Sequence, residues 1–369
     1  MKPIVKKSTG ILLLLTFFFV VIVLVGLFAT VAILVMQGAS PHILGGKRVA
    51  LVRVEGLIYD AEEWIDQIKD YQEDGTIKAI VLRIDSPGGA VGPSQDLYQA
   101  VCDARQQHGK IVVASFASVA ASGGYYIACG ADHIVSAPGA LTGSIGVYSK
   151  FLLAKDLMDK IGIGYETVKA GKYKDFGSME RPLSPEEREM MQGVIDDTYQ
   201  QFLEAVADGR KESLSKLLRE WNPSSVSGNY PFTDAVRGIL GDFQEKKAQY
   251  DRTQASAPVK DATAESSDSS KTQKATLQPD EKTILALAKE LAEGKIYTGR
   301  QAQQIGLVDK IGALDDAIRQ AAKLAGIPGK PTVIEKKPKE FGWLDLISQG
   351  LAALTAKTNY SPLQYRFPY

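Results

Sequence analysis

The sequence predicts an α/β fold with a mostly parallel β-sheet, preceded by one N-terminal transmembrane helix. Short apolar runs typical of strands buried on both faces alternate with segments whose apolar residues recur at helical spacing. This alternation is typical of βαβ units, in which each helix crosses over between two parallel strands. A separate and much longer apolar segment lies close to the N-terminus and predicts the membrane span.

The apolar segment from residue 11 to 37 predicts an uncleaved anchor. No Asp, Glu, Lys or Arg falls between Lys7 and Lys47, and at about 1.5 Å per residue this run spans a hydrocarbon core of roughly 30 Å. A cleaved signal peptide has an apolar region of only about 7–15 residues, although the small residues 38–40 leave cleavage open. Lysines precede the span, so the positive-inside bias predicts a cytoplasmic tail, residues 1–10, and a periplasmic or extracellular remainder.

The first half of the chain after the anchor has the clearest pattern. Residues 48–57 alternate in polarity and predict a strand. Residues 62–73 predict a helix with its apolar side chains on one face. Nearly continuous apolar runs at 77–84 and 111–116 predict buried strands. A helix over about 94–107 connects these two strands.

Further along the chain, a helix is predicted to begin near Ser122. A capping signal at Ser184 predicts the start of a helix that runs to about residue 207, with proline at its first position and glutamate at its third. The remaining predicted elements are strands at 133–136 and 165–169 and helices at 151–161, 281–294 and 313–324.

Composition also predicts the domain organisation. We expect residues 45–210 to form the main folded core and residues 282–330 to form its C-terminal part. The 211–281 segment between them is an insertion, which from about residue 253 holds too few apolar residues to order itself. The tail, 331–369, carries aromatic side chains that suit a membrane interface, but packing against a neighbouring subunit or the core explains them equally well.

Composition and charge exclude several classes of function. Lys and Arg number 43, as do Asp and Glu, so the formal net charge of zero gives no support for nucleic-acid binding. The two cysteines, Cys102 and Cys129, are too few for a disulfide-stapled scaffold, although a single bridge stays open. No group of residues has the spacing of metal ligands, so we expect neither a metal nor an organic cofactor.

A serine set among glycines is the first candidate for catalytic chemistry. Ser122 lies in Ala-Ser-Gly-Gly-Tyr-Tyr, at a predicted helix start. Taken alone, an N-cap serine explains that position better. The glycines that follow leave room for a substrate carbonyl, and the Gly123 amide could donate to an oxyanion. Upstream, Asp-Ser-Pro-Gly-Gly at 85–89 follows a buried strand and is either a second source of such amides or a plain tight turn.

Lys172 and Lys174, in Gly-Lys-Tyr-Lys-Asp, are the candidate general bases. A lysine base must be neutral near pH 7, whereas a free lysine has a pKa of about 10.4. Burial of the head group would supply most of that shift, and a hydroxyl such as that of Ser144 could orient it. The plain alternatives are a solvated pair of lysines and a serine in a turn.

The three histidines give little support for a Ser-His-Asp triad. His42 abuts the predicted membrane span, His108 lies in a polar turn, and His133 lies in a predicted strand. None has a serine and a carboxylate placed around it along the sequence. A serine nucleophile with a lysine base is therefore the favoured interpretation.

These motifs, in this order, resemble the signal peptide peptidase A family, which consists of membrane-anchored Ser–Lys peptidases with a ClpP/crotonase-like βαβ superhelix. The similarity is strong over residues 45–210 and weaker over 290–330. It implies that Ser122 is the nucleophile and that Lys174, the second lysine of its motif, is the general base. It further implies that the amides of Gly89 and Gly123 form the oxyanion hole and that Ser144 orients the lysine.

The resemblance also implies partners. The chain holds one copy of the catalytic unit, like the short family members that assemble into homo-oligomeric rings, with an octamer expected and sites shared between protomers. The implied substrates are remnant signal peptides, cut in or at the membrane. Two alternatives stay open: a peptidase of the same fold that cuts membrane proteins, and a non-catalytic ring that binds envelope peptides.

Overall fold

The computed structural model describes residues 16–26, 47–223, 230–256, 277–336 and 364–366. The chain divides into two compact units, Met1–Gly46 and Lys47–Tyr369. In the first unit, residues 16–26 form a helix, α1, whose side chains are exposed. No helix within the described ranges is both long and apolar enough to cross a membrane, and most of the span predicted over 11–37 lies outside those ranges.

The second unit is built on strands that follow the predicted buried runs. A large sheet and a separate two-stranded ladder are formed by the residues described. The strands are β1 Arg48–Glu55, β2 Ile77–Ser86, β3 Gly88–Ala90, β4 Ile111–Ala121, β5 His133–Ser136, β6 Leu141–Gly143, β7 Ile296–Thr298, β8 Lys310–Ile311, β9 Thr332–Glu335 and β10 Gln364–Arg366.

The main sheet has the strand order β7-β6-β4-β2-β1-β9, with β5 beside β4 and β8 beside β5. Its pairings are parallel except for that of β6 with β7. The mixed α/β class with a mostly parallel sheet is therefore confirmed. The second ladder is small: β10 pairs antiparallel with β3.

The helices cover both faces of the sheet. Their apolar stripes are short, as expected of crossover helices that bury one side. In the second unit they are α2 Glu62–Glu73, α3 Val91–Gln106, α4 Gly123–Ala128, α5 Lys155–Ile161, α6 Pro185–Gly209, α7 Lys211–Glu220, α8 Asp234–Ser256, α9 Glu281–Leu291, α10 Gly299–Gln304 and α11 Leu314–Leu324.

Helix α11 packs its alanines on one face of β1, β2 and β4. The other face carries the larger core, to which α2, α3, α4 and α6 contribute. Helices α7 and α8 also bury apolar residues in that core, including Leu218 and Leu240. The larger core therefore reaches into the segment from 211 to 256, which composition alone marks as an insertion.

Two predicted elements differ from the structure. Residues 165–169 form no strand, because Tyr165 and Val168 are exposed and no described strand pairs with them. The helix predicted over 151–161 begins only at Lys155. Strand β4, by contrast, is longer than predicted, since it continues past residue 116 to Ala121. Its first half pairs with β5, and its second half extends the strand because it pairs with β6.

Candidate active site

Ser122 lies at the junction of β4 and α4, where the chain turns sharply. Its backbone has φ 53° and ψ −120°, a left-handed conformation that a non-glycine residue adopts only when its surroundings impose it. The Ser122 amide donates to the carbonyl of Gly143 (2.8 Å), and its carbonyl accepts from Tyr126 (2.8 Å). The backbone is therefore held from both sides, which fixes the direction of the side chain.

The hydroxyl of Ser122 has no hydrogen-bond partner within the described part of the chain, although the residue is fully buried. A buried polar group without a partner costs about 1–3 kcal/mol. Strain and an unsatisfied hydroxyl at the same residue are typical of a functional serine rather than of an N-cap, and the Ser122 side chain makes no capping bond to α4.

The glycine turn at 85–89 packs directly against the start of α4. Ser86 is in register with Ala120, two residues before Ser122. A β-carbon on Gly124 would lie 3.0 Å from the Ser86 carbonyl oxygen, so a side chain there would make a tight contact that glycine avoids. The turn that leads into β3 and the residues after Ser122 are thus brought together, as the motifs predict.

Gly89 is held in β3 with its own amide pointing outward. Ile58 donates to the carbonyl of Gly88 (3.1 Å) and accepts from the amide of Ala90 (2.7 Å). Since backbone groups alternate along a strand, the Gly89 amide points away from Ile58 and towards the edge where β10 pairs. Gly123 is the first residue of α4, so its amide has no partner within the helix. Both predicted oxyanion donors lie at this junction, and β10 pairs with the edge that carries the Gly89 amide, with Tyr365 opposite Gly89.

Ser144 follows β6 and lines a groove of about 760 Å³ between α6 and the end of α9. Its φ is 50°, and its amide donates to the carbonyl of Lys295 (2.7 Å). The turn after α9 braces this loop, because Gly294 donates to Ile145 (2.9 Å). Ser144 is thus a second buried serine in a strained conformation, and it directly follows β6, the strand that pairs with the last residues of β4 before Ser122.

The two candidate lysines have different surroundings. Lys172 pairs with Glu186 at 3.7 Å and lies over the ring of Tyr173. A hydrogen bond with Tyr173 and the charge of Glu186 raise the pKa of Lys172, so this lysine stays protonated. Lys174 is exposed, and its ammonium group makes no hydrogen bond or ion pair with the residues described.

The described chain does not bring Lys174 to Ser122, since the Ser122 hydroxyl has no partner. The predicted burial of the lysine head group is likewise not observed in this single chain, in which Lys174 is exposed. The structure therefore brings Ser122 together with Gly89 and Gly123, and it leaves Lys174 on the surface.

No described histidine completes a triad. Burial lowers the pKa of His133, and its Nδ1 lies 3.6 Å from Asp309. The Nε2 of His133 has no partner among the described residues, so no serine hydroxyl meets it. His108 is exposed in a turn, and His42 lies outside the described residues.

Two carboxylates with structural roles were not singled out from the sequence, and the first of them braces the candidate site. Asp85 accepts from the amides of Ser118 (3.2 Å) and Val119 (3.0 Å), which braces the last residues of β4 before Ser122. Asp309 forms a buried ion pair with Arg210. The position of Asp85 at the end of an apolar run is the signal that could have revealed it, whereas nothing in the sequence links residues 210 and 309.

Comparison with known proteins assigns the family. The profile of "Peptidase family S49" matches residues 104–219 and 280–328. A protein of Synechocystis sp. named as a protease is 32% identical over 299 residues, which cover 79% of this chain and 81% of the relative. A protein of Enterococcus faecium named as a candidate signal peptide peptidase, SppA, is 29% identical over 340 residues, with 87% and 76% covered.

The family profile and the protease-named relatives define a hydrolase of the serine peptidase class. The chain belongs to peptidase family S49 and is a serine peptidase. A solved structure of a membrane-bound stomatin-specific protease, a mutant in complex with a substrate peptide, matches 84% of this chain and 100% of its own at 16% identity. Its TM-score of 0.40 is too low to support a detailed comparison.

Proposed function

We propose that the protein is an endopeptidase with a Ser–Lys dyad, in which Ser122 is the nucleophile and Lys174 the general base. One observation carries this proposal: Ser122 combines a strained backbone with a buried hydroxyl that has no partner among the described residues, beside the Gly123 amide and the edge of β3 that carries the Gly89 amide. A serine with only a structural role would gain nothing from that combination. A nucleophile needs a side chain that is fixed in direction and a hydroxyl that is not already hydrogen-bonded to another group.

The chemistry follows from this geometry. Lys174, in its neutral form, takes the proton of Ser122 as the hydroxyl attacks the scissile carbonyl. The oxyanion accepts hydrogen bonds from the amides of Gly89 and Gly123, and removal of one such donor in other enzymes costs about 10²–10³ in rate. Lys174 then protonates the leaving amine, and water hydrolyses the acyl-enzyme. Ser144 orients the lysine ammonium, and the reaction requires no metal or cofactor.

The lysine is proposed to come from a neighbouring protomer. Lys174 is exposed, and its side chain has no partner among the described residues. Shortly before it in the sequence, large apolar side chains are exposed on α5 and the loop that follows, with Leu157 61%, Ile161 60% and Val168 93% exposed. Several large apolar side chains exposed in one segment are typical of an interface. A second copy would cover it, remove water from the lysine and complete the site, and repetition closes a ring, which we propose is an octamer.

Peptides are the proposed substrates, bound in extended form along β3. In the structure an extended segment, β10, already pairs antiparallel with β3, with Tyr365 opposite Gly89. A peptide that pairs with this edge in the same way would place a carbonyl at the Gly89 amide. The relative from Enterococcus faecium carries the name of a signal peptide peptidase, and we propose remnant signal peptides as the substrate class.

Membrane anchoring is part of the same proposal. The apolar segment 11–37 is proposed to span the inner, cytoplasmic membrane of a bacterial-type cell, with the N-terminus in the cytoplasm and the catalytic unit on the far side. This placement would hold the site close to peptides left in the membrane after preprotein cleavage.

The test is hydrolysis of a fluorogenic apolar peptide by the full chain in detergent. We expect Ser122→Ala and Lys174→Ala to be inactive, while Lys172→Ala, the matched control from the same loop, stays active. Mixing the two inactive variants before assembly should then restore about a quarter of the wild-type rate, because sites shared between protomers recombine at random. An active Lys174→Ala enzyme would refute the dyad. No recovery on mixing would refute the shared site.

A further inference from the structure

The loop that carries Lys174 is fixed by charged side chains although it lies on the surface. We define the lysine loop as residues 169–181, which form turns with no strand or helix. Within it, Asp175 accepts hydrogen bonds from Arg181 Nε (3.0 Å) and from Lys169, and its carboxylate also forms an ion pair with Arg181 Nη2 (2.9 Å). Lys169 in addition donates to the carbonyl of Lys172 (3.1 Å). The charges therefore tie both ends of the loop to Asp175, the residue next to Lys174.

Arg181 also ties the lysine loop to the start of α6. Its Nη1 and Nη2 donate to the two carboxylate oxygens of Glu187 at 2.7 and 2.6 Å. Glu187 is only 2% exposed, and it accepts from the amide of Ser184 (2.8 Å) within the capping box of α6. Arg181 holds the pKa of Glu187 at about 2 and, with Lys169, holds that of Asp175 well below its ordinary range. The network is thus fully charged at neutral pH.

Packing fixes the other side of the loop. The rings of Phe151 and Phe176 meet edge to face with their centroids 5.1 Å apart. Gly177 has φ 74°, and a β-carbon on it would lie 2.8 Å from the Phe151 ring. The amide of Lys174 itself donates to the carbonyl of Gly171 (3.2 Å). The backbone at Lys174 therefore has one defined position relative to α6.

We propose that Arg181, acting through Asp175 and Glu187, is the positioning residue for Lys174, an inference that rests on the proposed role of Lys174 as the base. A lysine side chain is long and flexible, so its ammonium is placed accurately only if its backbone is fixed. Catalytic groups must be held within about 0.5 Å of their working geometry, and a misplacement of about 1 Å can cost on the order of 100-fold in rate. A planar guanidinium that holds two carboxylates at once supplies that rigidity.

The experiment uses the full chain, assembled in detergent, with Arg181→Ala and Glu187→Gln as the test variants. Glutamine at the third helical position still closes a capping box with serine, so Glu187→Gln removes the ionic partner of Arg181 and keeps the start of α6. Arg181→Lys keeps the positive charge and loses the bidentate hydrogen bonding to Glu187. Arg319→Ala, which breaks an exposed Arg–Asp pair on α11 (2.9 Å), is the matched control.

We expect kcat to fall on the order of 10- to 100-fold in Arg181→Ala and Glu187→Gln with KM changed less than about threefold, and Arg181→Lys not to restore it. The acidic limb of the kcat/KM profile should move to higher pH in both variants, because a loosened lysine is better solvated. Merely structural damage would reduce the active fraction and leave that limb in place. Melting temperature and assembly mass should stay close to those of the wild type and of Arg319→Ala.

Two results would overturn the inference while the proposed function survives. One is wild-type kcat and pH profile in both variants alongside an inactive Lys174→Ala. The other is a loss of activity that always accompanies a loss of assembly, which would make Arg181 an interface residue. An active Lys174→Ala enzyme would instead overturn the proposed function itself, and the positioning role with it.

Discussion

Gly89 lies so close to Ile58 that a β-carbon built on it would sit 2.1 Å from the Ile58 carbonyl oxygen. The contact is made by backbone on both sides, so no rotation of a side chain can relieve it. The approach is what allows Ile58 to bind the residues before and after Gly89 and so to turn the Gly89 amide outward. A glycine is required here by the packing of β3, independently of any ligand.

Gly89→Ala is therefore expected to displace β3 and to remove the outward amide from its place. We predict a loss in kcat on the order of 100-fold or more, the range seen when one oxyanion donor is lost, together with a lower melting temperature. Steady-state hydrolysis of an apolar peptide and thermal unfolding are the measurements. Gly92→Ala is the matched control, since a β-carbon there meets nothing within 4 Å. Equal activity in the two variants would contradict the role given to Gly89.

Ser144→Ala tests the proposed orientation of the lysine. Alanine keeps the β-carbon at φ 50°, so the change removes the hydroxyl and adds no new strain. We expect kcat to fall roughly 10- to 100-fold with KM nearly unchanged, because the misplaced base affects the chemical step and not substrate binding. Ser118→Ala is the control, since Ser118 is exposed and contacts Asp85 only through its amide. A larger effect on KM than on kcat would point to a substrate contact instead.

Removal of residues 360–369 tests what the edge of β3 binds. This deletion removes β10 and frees the edge opposite Gly88, Gly89 and Ala90. If extended peptides pair with the same edge, the deleted chain should have a lower KM for short apolar peptides, with kcat unchanged. Initial rates over a range of peptide concentrations provide the measurement. A KM that stays constant or rises would show that β10 does not compete with the substrate.

The parts of the fold that could be predicted are those in which the side chains alone specify burial. The strands at 77–84 and 111–116 follow from nearly continuous apolar runs, which are typical of strands buried on both faces of a sheet. The extension of β4 to Ala121 could not be predicted. Its last residues are small, and they are held by the carboxylate of Asp85 and by pairing with β6, which are both long-range contacts.

The wrong strand at 165–169 has a related cause. Its apolar residues suggest burial, but in a single chain Tyr165 and Val168 are exposed. In the ring proposed above, a neighbouring chain would cover them. The motifs placed Ser122, Gly89 and Gly123 at one junction, as the structure has them. The position of Lys174 relative to Ser122 cannot be derived from one chain. The sequence determines the conformation of the lysine loop, but in the proposed shared site that loop meets the Ser122 of another copy of the chain.

The buried ion pair between Arg210 and Asp309 should dominate the pH dependence of stability. Arg210 is 2% exposed and donates to both oxygens of Asp309, which also accepts from Ser213 and from the amide of Ile134. Burial alone would raise the pKa of Asp309, but the charge and hydrogen bonds of Arg210 outweigh it and hold the pKa below its ordinary value. The aspartate thus contributes its full stability above the pKa of an unfolded aspartate, about 3.9.

Asp309→Asn should lower the free energy of unfolding at pH 7 by about 3–5 kcal/mol, because it leaves the Arg210 charge buried without a counter-charge. The difference from wild type should persist down to about pH 4 and shrink as the pH falls further, since protonation of the wild-type carboxyl then removes the same interaction. Urea unfolding of the full chain at several pH values measures both effects. Glu212→Gln, which breaks an exposed pair with Arg219 on the neighbouring helix, should change little. A difference that stays constant at low pH would mean that the loss arises from packing and not from charge.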